Sequence, residues 1–280
     1  MKRNNETQKE ARILGIGDVH GMDFPRLKEL IKKHRIDFVV CTGDLTNADE
    51  YRKLVFDNWL FIAVLGIELH QLMGLKRYKK LITTAVKSQD KIIRRLGKLP
   101  VKTFLVYGNN DYVRDDAKRL QKLGIAIEPL EEKLKPYKSI VLMKRRVLMA
   151  GDITLIGHSG EYYKHHGTKK LLCEKQFLTK LFRKSHNPTI FLTHEPPQGV
   201  MDKISMKGSP LYGERAGNPV YLELIKKYKP LIHICGHIHE GFGRKRIGRT
   251  WVINLGSLQD RRYVIITIKK GKVSFQNKKL

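Results

Sequence analysis

Five apolar runs, each closed by residues that can bind a metal ion, constrain this chain more than any other feature of its sequence. The runs are residues 13–16, 38–41, 104–107, 190–192 and 231–235. They lead into Gly17-Asp18-Val19-His20-Gly21, Gly43-Asp44-Leu45, Gly108-Asn109-Asn110-Asp111, Thr193-His194-Glu195 and Gly236-His237-Ile238-His239. A sixth stretch, Asn254-Leu255-Gly256-Ser257, follows. Continuous apolar runs that alternate with helical patterns indicate strands buried on both faces of a parallel or mixed sheet. Ligands of open α/β sheets bind beyond the carboxyl ends of the strands, so the five tips are expected to converge.

Asp18 and His20 are two residues apart and point to one side of an extended segment, and His237 and His239 repeat that spacing. With Asp44, Asn109 and His194 the set holds two carboxylates, four imidazoles and one amide carbonyl. One such motif alone is more simply a turn, because Asp and Gly fit tight bends. Seven ligating side chains on five successive tips are not explained that way. They exceed the needs of one first-row ion and suit two divalent ions that share a carboxylate. Imidazole mixed with carboxylate favours Mn, Fe or Zn over Mg or Ca, with Mn preferred here. Two such ions, offset by two carboxylates and a hydroxide, leave about one positive charge, which matches a phosphate ester.

In order and spacing these motifs resemble the calcineurin-like metallophosphoesterase superfamily, whose pattern reads D-x-H, G-D, G-N-H-[DE], a lone His and G-H-x-H. The resemblance covers roughly residues 12–268, and residues 235–243 are similar to a subgroup that includes archaeal predicted phosphoesterases. It implies an α/β fold, a four-layer α/β/β/α sandwich of two mixed sheets flanked by helices. It also implies that Asp18, His20, Asp44 and His239 hold one metal ion. Asp44, as the bridge, would hold the other together with Asn109, His194 and His237. The implied reaction is in-line attack on phosphorus by a metal-bridging hydroxide.

One position departs from the pattern. The His of G-N-H-[DE], which the resemblance makes a donor to the reacting phosphate, is Asn110 here. An amide donates a hydrogen bond but delivers no proton near neutral pH. General acid catalysis is typically worth about 10²–10⁴-fold, so broad phosphomonoesterase activity is not expected. The expected substrate is a small phosphodiester such as a cyclic nucleotide. A nuclease of the same chemistry and a catalytically weak metal-binding scaffold are the alternatives, and the intact ligand set argues against the scaffold. Asn110 is expected to bind substrate, and Asp111 to orient Asn110 or nearby water. His158, which follows the apolar run 153–156, is expected at the site rim as a further catalytic candidate. His34, His70, His186 and His233 read as structural, and His165 and His166 as a helix start.

The 280 residues suit one domain, 1–280, with a large buried core. Between Asp44 and residue 101 no strand pattern appears; residues 51–66 and 78–97 read as helices broken near Gly74, a basic helical insertion at about 50–100. Residues 196–217, rich in Gly and Pro, read as a long loop beside the pocket. Cys41, Cys173 and Cys235 show no paired spacing, which suggests a reducing compartment and hence the cytoplasm. No apolar leader precedes Ile13. The longest apolar run, 59–67, is about half the length that a bilayer needs and reads as a core helix, so no membrane partner is expected. The formal net charge is +28, and residues 51–100 carry eleven basic side chains against three acidic. That excess makes nucleic acid a possible partner beside the small diester. Oligomeric state is left open.

Overall fold

The computed structural model describes residues 10–159, 167–186 and 188–279. Its first sheet carries β1 (Ala11–Ile16), β2 (Phe38–Cys41), β3 (Lys102–Leu105) and β4 (Ile140–Leu142) as parallel neighbours. Two antiparallel strands, β11 (Arg262–Lys269) and β12 (Lys272–Lys279), extend it beyond β1. The second sheet has the order β5 (Arg146–Ala150), β6 (Ile153–His158), β7 (Thr189–Thr193), β8 (Ile232–Cys235), β10 (Thr250–Asn254), β9 (Gly243–Ile247). Its four inner strands are parallel and its two edges antiparallel.

The period of two along each strand sorts its side chains between layers. Ile13, Phe38, Val40 and Phe104 face Leu155, Ile190, Leu192, Ile234 and Ile253 between the sheets. Leu14, Ile16, Val39, Cys41 and Leu105 point the other way and pack under α1 (Leu27–Lys33) and the second half of α4 (Leu75–Gly97). Ile156 and Phe191 face α7 (Thr168–Arg183) and α8 (Pro219–Tyr228). The result is an α/β fold of two mixed sheets flanked by helices.

Helices fill the stretch between β2 and β3. They are α2 (Asp49–Asp57), a π-helical turn over Leu60–Val64, the short α3 (Leu69–Met73), and α4. Gly74, with φ +78, separates α3 from α4. The apolar stripe of α4 serves two cores. Tyr78, Leu81, Ile82 and Val86 join Leu69 and residues of the α5 (Arg114–Lys122) region, whereas Ile92, Ile93 and Leu96 pack on the first sheet. Residues 59–67 are not a core helix. Leu60, Phe61, Val64 and Leu65 are 46–67% exposed, and of this run only Ile62 packs on the neighbouring cluster. The strand β9 and the short α6 (Leu130–Lys133) are additions to the sequence reading.

Candidate metal centre

The loops after β1, β2, β3, β7 and β8 meet at one end of the two sheets. Asp18 is buried there between the β2 and β8 loops. Its Oδ1 accepts from the Thr42 hydroxyl at 3.1 Å, and its Oδ2 from the His237 N–H at 2.7 Å. The same Oδ2 lies 3.2 Å from His239 Nε2. Asp44 Oδ2 is 3.7 Å from Nε2 of His20 and 3.7 Å from Nε2 of His194. Among the described residues, two groups of ligand atoms converge: Asp18, His20 and His239, and Asp18, Asp44 and His194.

Backbone carbonyls fix the imidazole tautomers. His194 Nδ1 faces the Thr42 carbonyl at 2.7 Å and His20 Nδ1 faces the Thr46 carbonyl at 3.3 Å. A ring that donates from Nδ1 turns the Nε2 lone pair inward, the usual arrangement of a metal-binding histidine. His194 Nε2 then meets Asn109 Oδ1 at 2.9 Å and His237 Nδ1 at 3.2 Å. His20 Nε2 meets His239 Nε2 at 3.2 Å. A lone pair facing an amide oxygen at this distance is repulsive until a proton or a metal ion lies between them. The donor set therefore fits divalent metal.

The electrostatics agree. Burial opposes charge on Asp44, but His194, His20 and the Asn110 N–H outweigh it and hold the carboxyl down to about 2. Burial also opposes charge on His194 and His239, yet Asp44 and Asp18 raise both. His237 goes the other way: burial and then the charge of His194 push it down to about 3. Asp44 thus stays ionised and draws positive charge inward.

Interlocked tips hold this arrangement. His20, Asp44 and His237 adopt left-handed backbone, with φ of +45, +47 and +65. That conformation costs of order 1 kcal/mol or more per non-glycine residue. Gly108 and Gly236 allow the close approach. A Cβ on Gly108 would lie 2.1 Å from Asp44 Oδ1, and one on Gly236 would lie 2.2 Å from Asp18 Oδ1. The sixth stretch acts as a clamp. Asn254 Nδ2 donates to the Ile238 carbonyl at 2.9 Å, while the Ser257 hydroxyl and Leu258 N–H donate to the Asp18 carbonyl at 3.1 and 2.9 Å.

Two expectations need correction. The Asp111 carboxylate does not orient the Asn110 side chain. It accepts from Leu45 N–H at 2.7 Å, Gly108 N–H at 3.0 Å and the Thr46 hydroxyl at 3.4 Å, tying the β2 tip to the β3 tip. Burial and the nearby Asp44 charge raise it to about 7. His158 does not stand at the site rim. It is buried away from the cavity wall, and its Nδ1 shares a 2.7 Å hydrogen bond with the Tyr221 hydroxyl. The α7–α8 layer covers the end of β6, so the strand delivers that ring into packing. His165 and His166 lie outside the described residues. His233 is buried in β8 against Thr193 at 2.8 Å, as its alternation suggests.

Asn110 does reach the centre: its N–H donates to Asp44 Oδ1 at 2.9 Å and its Nδ2 to Asp44 Oδ2 at 2.6 Å. The centre forms the floor of an open cavity of about 640 Å³. Tyr51, Phe56 and Trp59 wall one part of it, and Ile204, Met206 and Leu211 another. Of the basic side chains of residues 51–100, Arg52 lines the cavity, joined by Arg119 of α5. Lys91 and Arg95 instead pair with Asp23 at 3.3 and 2.9 Å.

Thr42 was missed in the sequence because its signal is only its place before Gly43-Asp44. Its hydroxyl supports Asp18 and its carbonyl supports His194. Thr42→Val keeps the shape and the carbonyl but removes the hydroxyl. Manganese affinity is expected to fall about 10–100-fold, the usual cost of losing a group that orients a ligand, as read by calorimetric titration.

Residues 7–278 match the family described as metallophosphoesterase, calcineurin superfamily. Over 66 residues the chain is 35% identical to human metallophosphoesterase domain-containing protein 1, a segment that makes up 23% of this chain and 19% of that protein. The mouse protein of the same name matches to the same extent, so the match spans about a fifth of these relatives. One crystal structure superposes with a TM-score of 0.68 at 20% identity, covering 97% of this chain and 99% of the other. The crystal structure of TT1561 of Thermus thermophilus gives 0.53 at 18% identity, covering 96% and 99%. At these identities the likeness is one of fold. The family match over nearly the whole chain, with candidate ligands converging where that fold gathers its loops, makes the chain a member of the calcineurin superfamily of metallophosphoesterases.

Proposed function

We propose that the chain is a dinuclear phosphodiesterase acting on a small phosphodiester of the cyclic-nucleotide class. Asn110, an amide beside Asp44 on the cavity floor, is the observation that carries this reading. Asp18, His20, Asp44 and His239 would hold one divalent ion, and Asp44, Asn109, His194 and His237 the other, with manganese favoured. Asp44 is assigned as the shared ligand because its Oδ2 is equidistant from the inward nitrogens of His20 and His194. Asp18 approaches His194 through Nδ1, which already faces the Thr42 carbonyl. When bound, two divalent ions supply Lewis acidity for the phosphoryl oxygens and acidify water.

The protein's own groups would decide among esters. Asn110 Nδ2 can donate to a phosphoryl oxygen once Asp44 turns to a cation, but it cannot protonate a departing alkoxide. Monoesters cleave through a loose transition state that places much charge on the leaving group. They suffer most without an acid. Tyr51, Phe56 and Trp59 offer flat apolar faces to a base or aryl group, and Arg52 adds positive charge at the mouth.

Bis(p-nitrophenyl) phosphate and a cyclic nucleotide are expected to be cleaved at least about tenfold faster than alkyl monophosphates, given what general acids contribute. Asn110→His is expected to raise the alkyl monoester rate by about tenfold or more. Equal rates on both classes in the unmodified protein would contradict the diester reading.

A further inference from the structure

Ten large apolar side chains among the described residues are more than a third exposed, and six of them fall within residues 60–75. They are Leu60, Phe61, Val64, Leu65, Leu72 and Leu75, exposed by 37–67%. The π-helical turn sets Ile62 against the cluster of Leu69, Tyr78 and Leu81 and leaves its other large apolar side chains in solvent. Trp59, one residue earlier, lines the cavity, so the ridge begins beside the candidate metal centre. Leu75 opens α4 and is followed at once by exposed Lys76, Arg77, Lys79 and Lys80.

We propose that this ridge and its cationic collar dock the protein on an anionic lipid surface, with the pocket mouth toward the headgroups. Contiguous exposed apolar surface rimmed by polar residues marks an interaction site, and aliphatic side chains beside Lys and Arg suit one partner. Anionic headgroups attract a basic cluster, while Leu, Val and Phe side chains enter the boundary of the acyl layer. A second copy fits less well. It would bring like-charged collars together on a chain of net charge +28, and a stable protein interface engages about 20–30 residues a side. Nucleic acid would satisfy the collar and leave the aliphatic ridge in water. The expectation of no membrane partner rested on the length of the apolar run, which excludes spanning but not interfacial insertion. Docking is independent of the diester reading, because binding to a surface requires no turnover.

Sedimentation with phosphatidylcholine vesicles, with and without phosphatidylglycerol, tests the proposal. Binding is expected only with phosphatidylglycerol. A Phe61→Ser, Val64→Ser, Leu65→Ser variant is expected to bind at least about tenfold more weakly, because each change removes an exposed apolar side chain that would enter the acyl boundary. Lys76→Glu, Lys79→Glu and Lys80→Glu together should weaken binding and flatten its salt dependence. Unchanged melting curves would show that the variants fold. No vesicle binding, or binding lost on charge reversal but not on the serine changes, overturns the proposal. A dimer that the serine variant splits would assign the ridge to a second copy, and single-stranded DNA binding lost with those changes would assign it to nucleic acid.

Discussion

Asp44→Asn is expected to abolish ester hydrolysis, lowering kcat/KM by at least about 10³-fold. Metal-ion assistance is worth several kcal/mol, and each 1.36 kcal/mol is a factor of ten in rate. The change keeps a polar side chain of the same shape, so the Asn110 N–H that Asp44 now accepts retains a partner. It removes the negative charge that lies 3.7 Å from both His20 and His194. Elemental analysis is expected to show both ions depleted in Asp44→Asn. Asp18→Asn, which leaves the proposed shared carboxylate in place, should retain more metal. Equal depletion in the two variants would mean that Asp44 is not the shared ligand.

Gly108→Ala is expected to be nearly as damaging without removing any ligand. The new Cβ would stand 2.1 Å from Asp44 Oδ1 and 2.5 Å from His194 Cε1, and both side chains are buried and hydrogen-bonded. Neither can retreat without breaking the centre. Activity should fall by about 10²-fold or more, since small misplacements at a reacting centre cost that much. Stability should fall by about 1–3 kcal/mol, the usual cost of overpacking. Kinetics paired with thermal melts checks both. Gly167, where a Cβ meets none of the described residues within 4 Å, serves as the control position for the same substitution.

The convergence of the five tips was legible because β1, β2, β7 and β8 are largely apolar and buried on both faces. That pattern belongs to a strand with a packed layer on each side. The ligating side chains follow those strands directly, so their gathering came with the sheet order. Contacts between loops were not legible, because they have no period. Nothing in the sequence pairs Asp111 with Leu45 and Gly108 rather than with Asn110, or sets Asn254 against the His237–His239 turn. Strand β9, Gly-Arg-Lys-Arg-Ile, was hidden for another reason. Among the described strands it is an edge paired with β10, and its three central residues are basic and exposed, so no apolar alternation marks it. The run at 59–67 was misread because hydrophobicity states a preference and tertiary packing decides exposure. His158 was misplaced for a similar reason: the end of β6 is capped by Tyr221 of α8 and does not open to the cavity.

Manganese titration of chelator-treated protein, with bis(p-nitrophenyl) phosphate hydrolysis followed in parallel, tests the dinuclear centre most directly. Two equivalents are expected to bind, with hydrolysis appearing as the second is filled and lost again on chelation. One equivalent bound at saturation, or hydrolysis indifferent to chelator, would contradict a centre built from Asp18, His20, Asp44, Asn109, His194, His237 and His239.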